Sequence, residues 1–438
     1  MKIKHLLSAV IGASLLSTSS LINATGLLEV YKVALESDPI LKQAVSNQKS
    51  VAEGKNQAFS AFLPNIRASA TASGNRSTGL STGRSDYNSH NYGLNLTQSI
   101  YDKKNYVNTR IAENNTLSAD TDLETARQDL MARVSSAYFD VLLAADTVEF
   151  TKAEQKAIAR QLEQAKRRYE VGIIAITAVL NAQAGYDSAT AAVLKATNDQ
   201  LIANERLRDI AGKYFDELAP VADEIPLDPP KPNDIDEWVK LALKNNPTLA
   251  SINYQGLSSK ERISLERSGH YPTLDLVASY SNVDKNGPGS ASARDGYDGS
   301  VGLQLAVPIY QGGFVNSRVK QAQYDYQAIR DKKEELRRST ERQTRSSFLS
   351  VLSEISRVKA LNQAVVSNDS SLKATEAGFE VGTRTIVDVL NVQRDRFAAK
   401  KDYSEARYNF ILSKVFLKQS AGTLSEQDLE NIDNWLKK

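Results

Sequence analysis

The chain has 438 residues, 41% hydrophobic and 24% charged, with 54 Lys and Arg against 52 Asp and Glu, three His and no Cys. That balance is too polar for a bundle of membrane helices and exerts no general pull on nucleic acid. The missing Cys excludes disulfides, thiol catalysis, Cys-based zinc sites and a lipid-modified Cys.

Met1 to Ala24 reads as a secretory signal peptide. Lys2 and Lys4 form its basic start, Leu6 to Leu16 its apolar run, and Ile22-Asn23-Ala24 its cleavage site. The rival, a membrane anchor, needs a longer run than this Ser-interrupted one. Removing the leader leaves 52 basic residues facing 52 acidic ones. No later segment has the roughly 18 consecutive apolar residues of a membrane helix. An exported chain of this kind is either soluble outside the inner membrane or crosses a membrane as β-strands.

The mature sequence is one pattern written twice. Leu28 to Leu35 leads into Ser37-Asp38-Pro39, and Ile235 to Leu243 leads into Asn245-Asn246-Pro247. In each half a cap residue and a Pro start a helix of about 25 residues that stops near Pro64 or Pro272. After each of these Pro residues the hydrophobic period changes from helical to two. Ile66, Ala68, Ala70 and Ala72 alternate with polar residues, as do Tyr92, Leu94 and Leu96. Leu274, Leu276, Ala278 and Tyr280 repeat the pattern, with Val277 the exception, and Val301, Leu303, Leu305 and Val307 complete it. Turn-rich stretches, Gly74–Asn91 and Val283–Gly299, separate the strands of each pair. Aromatics gather at the strand ends: Tyr87, Tyr92, Tyr280 and Tyr297 beside the loops, Phe62, Tyr101, Tyr271 and Tyr310 beside the helices. Two such girdles fit the two interfaces of an outer-membrane barrel, while four half-buried strands of a soluble sheet are the alternative. Four strands cannot close a transmembrane barrel, so several chains would have to share one; the strand count leaves two, three or four open.

Nothing breaks a helix from Asp102 to Arg168 or from Val315 to Gly378, which predicts two helices of about 100 Å. Leu130, Val134, Ala137, Val141, Ala144 and Val148 step by four and three, as do Val351, Ile355, Val358, Asn362 and Val365, giving coiled-coil spacing. Each long helix ends in a matching stretch. Tyr169-Glu170-Val171-Gly172 precedes Ile176 and Val179-Leu180-Asn181; Phe379-Glu380-Val381-Gly382 precedes Ile386 and Val389-Leu390-Asn391, roughly 210 positions on. Each Gly suits the left-handed position where a helix stops and the chain reverses. The return helices, from Ala178 to about Gly212 and from Asp388 to about Gln419, are too short to run the length of the long ones. The shortfall matches the opening helices Pro39–Phe62 and Pro247–His270, which predicts that opening and return helices stack end to end. The domains are therefore 1–24 signal, 25–217 first repeat, 218–234 linker, 235–422 second repeat and 423–438 tail. Five Pro residues make the linker extended and place it on the outside. The tail reads as a short helix capped by Thr423 or Ser425.

With these residues in view, and above all Val381-Gly382-Thr383-Arg384-Thr385-Ile386-Val387-Asp388-Val389-Leu390, the whole mature chain resembles the TolC-type outer membrane efflux and secretion ducts (outer membrane factors). The resemblance implies a mainly α fold with a transmembrane β portion. Three chains would build a trimeric α-barrel in the periplasm, continuous with a 12-stranded β-barrel of four strands per chain in the Gram-negative outer membrane. It implies the exit duct of tripartite multidrug efflux pumps or type I secretion, a passive conduit opened at its tip. Its partners would be a periplasmic adaptor (membrane fusion) protein and an inner-membrane pump or ABC exporter, with no cofactor.

Read alone, Asp388 caps the return helix and faces solvent. The resemblance makes it the pore constriction, where three carboxylates in confined water would attract cations and titrate together. The family's second acidic ring falls here on Asn391, which predicts a weaker cation trap. Arg384 matches a family Arg that holds the tip shut, with Glu380, Glu170 or backbone carbonyls as candidate partners. The family's latch Tyr is Phe379 and its latch Asp is Ala178, beside a retained Thr177, which predicts a looser latch. Val171, Gly172 and Ile173, with Val381, Gly382 and Thr383, match the turns on which adaptors dock.

The rivals are a periplasmic coiled-coil adaptor, a structural coiled coil and an enzyme. An adaptor would carry one hairpin, and a fibrous protein leaves the strands unexplained. The mature chain has only His90 and His270, and no nucleophile cluster or phosphate loop. His270 aligns with Phe62 and reads as an interfacial packing residue. Drugs, bile salts and proteins all remain open as cargo.

Overall fold

The structure, a computed structural model, describes residues 24–79, 83–286 and 296–437. Of the expected signal peptide, Met1 to Asn23 lie outside the described residues, as do 80–82 and 287–295 of the two expected loops.

The first half runs α1 (Leu27–Ser37), α2 (Pro39–Ser60), β1 (Asn65–Gly79), β2 (Gly83–Tyr101), α3 (Lys103–Glu170) and α4 (Ile176–Ala211). The second repeats it as α5 (Ile235–Asn245), α6 (Pro247–Arg267), β3 (Thr273–Asn286), β4 (Gly296–Ala306), α7 (Phe314–Glu380) and α8 (Ile386–Ser420), and α9 (Glu426–Asp433) closes the chain. Each α2-type helix starts as the sequence predicts. Pro39 and Pro247 take the first turn, and the side chains of Asp38 and Asn246 accept the N–H of Leu41 and Leu249. A short 3₁₀ turn, Ser268–His270, follows α6, where His270 meets Asn316 at 3.3 Å.

The four strands form one antiparallel sheet in the order β1-β2-β3-β4, so β2 and β3 join the two halves. Register puts Ile66 against Leu96, Leu94 against Tyr280, Ala278 against Val301 and Leu276 against Leu303. Because pairing conserves the face, these residues make one continuous apolar surface. It is unpacked: Ile66, Val301, Leu303 and Leu305 are all about two-thirds exposed or more. The opposite face carries Arg67, Ser69, Thr71, Asn95, Ser279 and Gln304, with Ser279 and Ser300 hydrogen-bonded across strands. An apolar outside and a small polar inside suit lipid and a watery lumen.

The two expected loops are largely strand. β1 continues to Gly79 and β2 begins at Gly83, with Gly74 opposite Asn88 and Arg76 opposite Asp86. β3 likewise runs to Asn286, and β4 starts at Gly296. Beyond Tyr92 and Tyr280 both faces are mostly polar, so the apolar alternation vanishes although the hydrogen-bond ladder continues. Tyr92 and Tyr280 consequently sit mid-strand. Tyr92 to Tyr101 and Tyr271 to Tyr280 each span about 21 Å of height at ~3.3 Å per residue and ~45° tilt, close to the ~25 Å apolar band of a barrel. That spacing fits two interfacial girdles, with the hairpins continuing beyond Tyr92 and Tyr280.

The long helices have 68 and 67 residues, and the shorter partners 22 and 36 in the first half and 21 and 35 in the second. The expected end-to-end stacking is present. Ser37 Oγ donates to the carbonyl of Ile210 at the end of α4, and Asn246 Nδ2 donates to that of Ser420 at the end of α8. α3 lies beside α2, α4, α6 and α8, and α7 beside α6 and α8. The result is a sheet of four rods: α2 with α4, α3, α6 with α8, then α7. The predicted seam is buried at Leu130, Val134, Ala137, Val141 and Val148, and at Val351, Ile355 and Val358. Asn362 is exposed and Val365 half-buried, so that second seam loosens toward the tip.

Halfway along, α1, α5, α9 and the linker add a second layer and with it the largest core. Tyr138 meets Phe139 edge-on at 5.4 Å, and Phe139 stacks on Tyr408 at 5.7 Å. Tyr138 Oη donates to the carbonyls of Thr25 and Ala219, tying chain start and linker to α3. The linker is extended and mostly exposed on the outside, as expected, but it is tied down at its start. Leu218, Ala219 and Val221 are buried, Ala219 N–H donates to Thr25 O, and Ala222 N–H donates to Trp435 O. Its unpaired backbone groups need partners once covered, and the chain start and tail supply them. Ser425 caps α9, its N–H and hydroxyl both donating to Asp428.

Candidate functional site: the two hairpin tips

At the far end from the sheet, both long helices stop on a glycine. Gly172 has φ +76° and Gly382 φ +80°, values that favour a residue without Cβ. Ile173 N–H reaches back to Arg168 O at 2.9 Å and Thr383 N–H to Gly378 O at 2.8 Å, so both ends close in the same Schellman geometry. The turns present apolar side chains to solvent: Val171, Ile173 and Val381 are 69%, 69% and 75% exposed. Nothing lies near either glycine on its outer side, so a partner backbone can approach closely there.

The tips differ in how the return helix begins. α8 starts with a complete capping box: Asp388 N–H donates to Thr385 Oγ1, while Thr385 N–H (2.8 Å) and hydroxyl (2.9 Å) donate to Asp388 Oδ2. α4 starts at Ala175 with no side-chain cap. Hydrogen bonds from the Thr385 backbone and then its hydroxyl hold the Asp388 carboxyl below the usual carboxylate range, with nearby Arg384 adding to the effect. Val389 and Leu390 point into the tip core, whereas Asp388 is half-buried and Asn391, one turn on, is exposed. Spaced three apart, Asp388 and Asn391 share a helix face.

Arg384 lays its stem over Gly378, where a Cβ would come within 2.8 Å of its Cγ. Among the described residues its guanidinium makes no hydrogen bond or ion pair, so the expected contacts with Glu380, Glu170 or a carbonyl are not formed within one protomer. Thr177 and Glu380 are exposed at the tip surface.

Phe379 is buried within its own protomer rather than exposed at the tip surface. It is 7% exposed and sits in a cluster with Ile158, Leu162 and Ala165 of α3, Ala182 of α4, and Ile386 and Leu390 of α8. Arg168, which the sequence reading did not single out, covers the ring with its guanidinium 4.7 Å from the centroid and donates from Nη1 to Phe379 O at 3.3 Å. The signal was present in the repeat. Arg168 aligns with Gly378, a pairing of the largest cation with the smallest residue just before the turn.

A family model described as outer membrane efflux protein matches residues 30–213 and 238–423, one match per repeat. The chain is 39% identical to the outer membrane protein TolC of Escherichia coli (strain K12), over 99% of this chain and 90% of that protein. It is 27% identical to the alkaline protease secretion protein AprF of Pseudomonas aeruginosa, over 98% of this chain and 91% of that one. The fold is similar to the crystal structure of the Campylobacter jejuni CmeC outer membrane channel, with TM-score 0.77, 15% identity, and 94% of this chain and 90% of that chain covered.

Proposed function

The chain belongs to the outer membrane efflux protein family, as an exit duct of the Gram-negative outer membrane serving efflux and type I secretion, and on that premise we propose how its parts divide the work. Three copies form one duct. The observation carrying this is the sheet: an exposed apolar face, a polar face and unpaired outer edges on β1 and β4. In a bilayer such edges must be paired, because lipid supplies no partner for their N–H and C=O groups. Edge β1 of one copy pairs with β4 of the next, closing 12 strands. The rods follow suit. Leu194 and Leu201 on the α4 edge are 69% and 61% exposed, and Tyr324 and Leu349 on the α7 edge are 76% and 57% exposed, so each edge offers apolar cover for the other.

The helical end is the gate. Three copies of Asp388, with Asn391 a turn away, ring the narrowest passage, and each carboxylate is kept ionised by its capping box. Arg384, unpaired within its own protomer, reaches the neighbouring protomer's hairpin, where Thr177 and Glu380 are exposed. The exposed turns at Val171, Gly172 and Ile173 and at Val381, Gly382 and Thr383 receive a periplasmic adaptor, which couples the duct to an inner-membrane pump or ABC exporter. No step of this work requires chemistry, and the duct acts as a passive conduit.

The test is single-channel conductance in a planar bilayer, comparing wild type with Asp388→Asn, with a trivalent cation added from the helical end. Small cation-selective steps, blocked in wild type and far less in the variant, are expected. Equal block in both would move the constriction off Asp388. No steps at all, from a protein that stays dispersed without detergent, would overturn the membrane duct.

A further inference from the structure

We infer that Arg168 is the clasp joining the two hairpins of one protomer at the tip, and so sets how readily the duct opens. The inference deepens the gate reading above and rests on it. Between the tips of α3 and α7, Arg168 supplies two links at once. Its guanidinium carbon lies over the Phe379 ring, 4.7 Å from the centroid, and its Nη1 donates to the Phe379 carbonyl. That carbonyl belongs to the last turn of α7, where helix carbonyls lack intrahelical donors and carry the negative end of the dipole. It already accepts Gly382 N–H at 3.2 Å, so Arg168 grips the turn glycine's own anchor.

The ring is well chosen for this contact. Phe379 is buried against α3, α4 and α8 residues, so its position is fixed by packing and its free face is turned to Arg168. A guanidinium over a desolvated ring is held by the ring quadrupole as well as by its hydrogen bond, and a planar cation does this better than a point charge. Opening an iris of hairpins must separate α7 and α8 from α3 and α4 at this level. Such a movement peels Phe379 away from Arg168. The neighbouring Arg167 differs: it is exposed and pairs with Glu163 on its own helix, so it crosses no joint.

Arg168→Ala, Arg168→Lys, Arg167→Ala and wild type would be compared in the planar bilayer, with Asp388→Asn as a control for the gate and thermal unfolding of each trimer alongside. Arg168→Ala is expected to raise the open-to-closed ratio roughly tenfold, the scale of one cation–π contact plus one hydrogen bond to a carbonyl. Arg168→Lys, which keeps the charge and loses the planar guanidinium, should fall between, and Arg167→Ala should match wild type. Unfolding temperatures should stay together, since the contact lies far from the main core. Wild-type gating in Arg168→Ala, with block still altered by Asp388→Asn, would overturn the clasp and leave the gate standing. Equal opening in Arg167→Ala and Arg168→Ala would reduce the effect to net charge and also overturn it. A loss of cation block specificity in none of the variants, Asp388→Asn included, would sink the gate reading itself.

Discussion

Replacing Asp38 tests the joint on which the end-to-end rods depend. Asp38 is 1% exposed, sits between α1 and α2, and caps α2 through Leu41 N–H at 2.8 Å. Both its oxygens also take Arg133 of α3, at 3.1 and 2.8 Å, in a bidentate pair. A lost cap costs about 1 kcal/mol. Breaking a buried pair by removing one partner costs about 3–5 kcal/mol. The Arg133 side chain keeps 30% exposure, so water recovers part of its solvation and the lower end applies. Asp38→Ala, which loses both, should therefore lose about 4 kcal/mol. Asp38→Asn, which keeps a good cap, should lose about 2 kcal/mol. The second repeat already uses Asn246 at the matching joint, where the amide bonds Ser420 O and no Arg is involved. Urea unfolding in detergent, followed by fluorescence, suits this site because Trp238 and Trp435 both lie in or against the mid-length core. Burial opposes ionisation of Asp38, but Arg133 and the Leu41 N–H outweigh it and hold the carboxyl below its usual range. Its contribution is thus complete above the unfolded value near ~3.9 and fades as pH falls through the lower native value. The gap between wild type and Asp38→Asn should be constant from about pH 5 to 8 and close in stronger acid. A gap under about 0.5 kcal/mol at neutral pH would mean the pair behaves as a surface one, refuting the reasoning.

Two further outcomes follow from the tip and the sheet. Thr385→Ala removes the hydroxyl that helps keep Asp388 ionised while leaving the backbone donor, so the midpoint of cation block in a pH titration should move upward; an unmoved midpoint would detach the capping box from the gate. Leu303→Arg places a charge on the lipid face and should cost about 2–4 kcal/mol of membrane insertion, whereas Gln304→Arg, one residue along on the lumen face, should insert normally and shift selectivity toward anions. Equal insertion defects in a heat-modifiability assay would invert the assigned faces.

Periodicity alone determined much of this protein. The switch from helical to alternating spacing after Pro64 and Pro272 placed the strands. The uninterrupted stretches after Asp102 and Val315 gave the long helices nearly to the residue, and the two Val-Gly turns gave the tips. These features are local: a cap, a Pro or a glycine acts within a few residues of itself, and the repeat writes each of them twice. Where strand residues meet water on both faces the period carries no information, which is why Gly74–Asn91 reads as loop and folds largely as ladder. Only the tertiary structure decided what Phe379 faces, what Arg168 holds, and that the linker is laced between chain start and tail. Each of these rests on groups far apart in sequence, roughly 210 positions in the case of Arg168 and Phe379, brought together by packing of whole rods. A pattern of single positions cannot encode which distant partner a side chain meets, because that depends on the register of one helix against another.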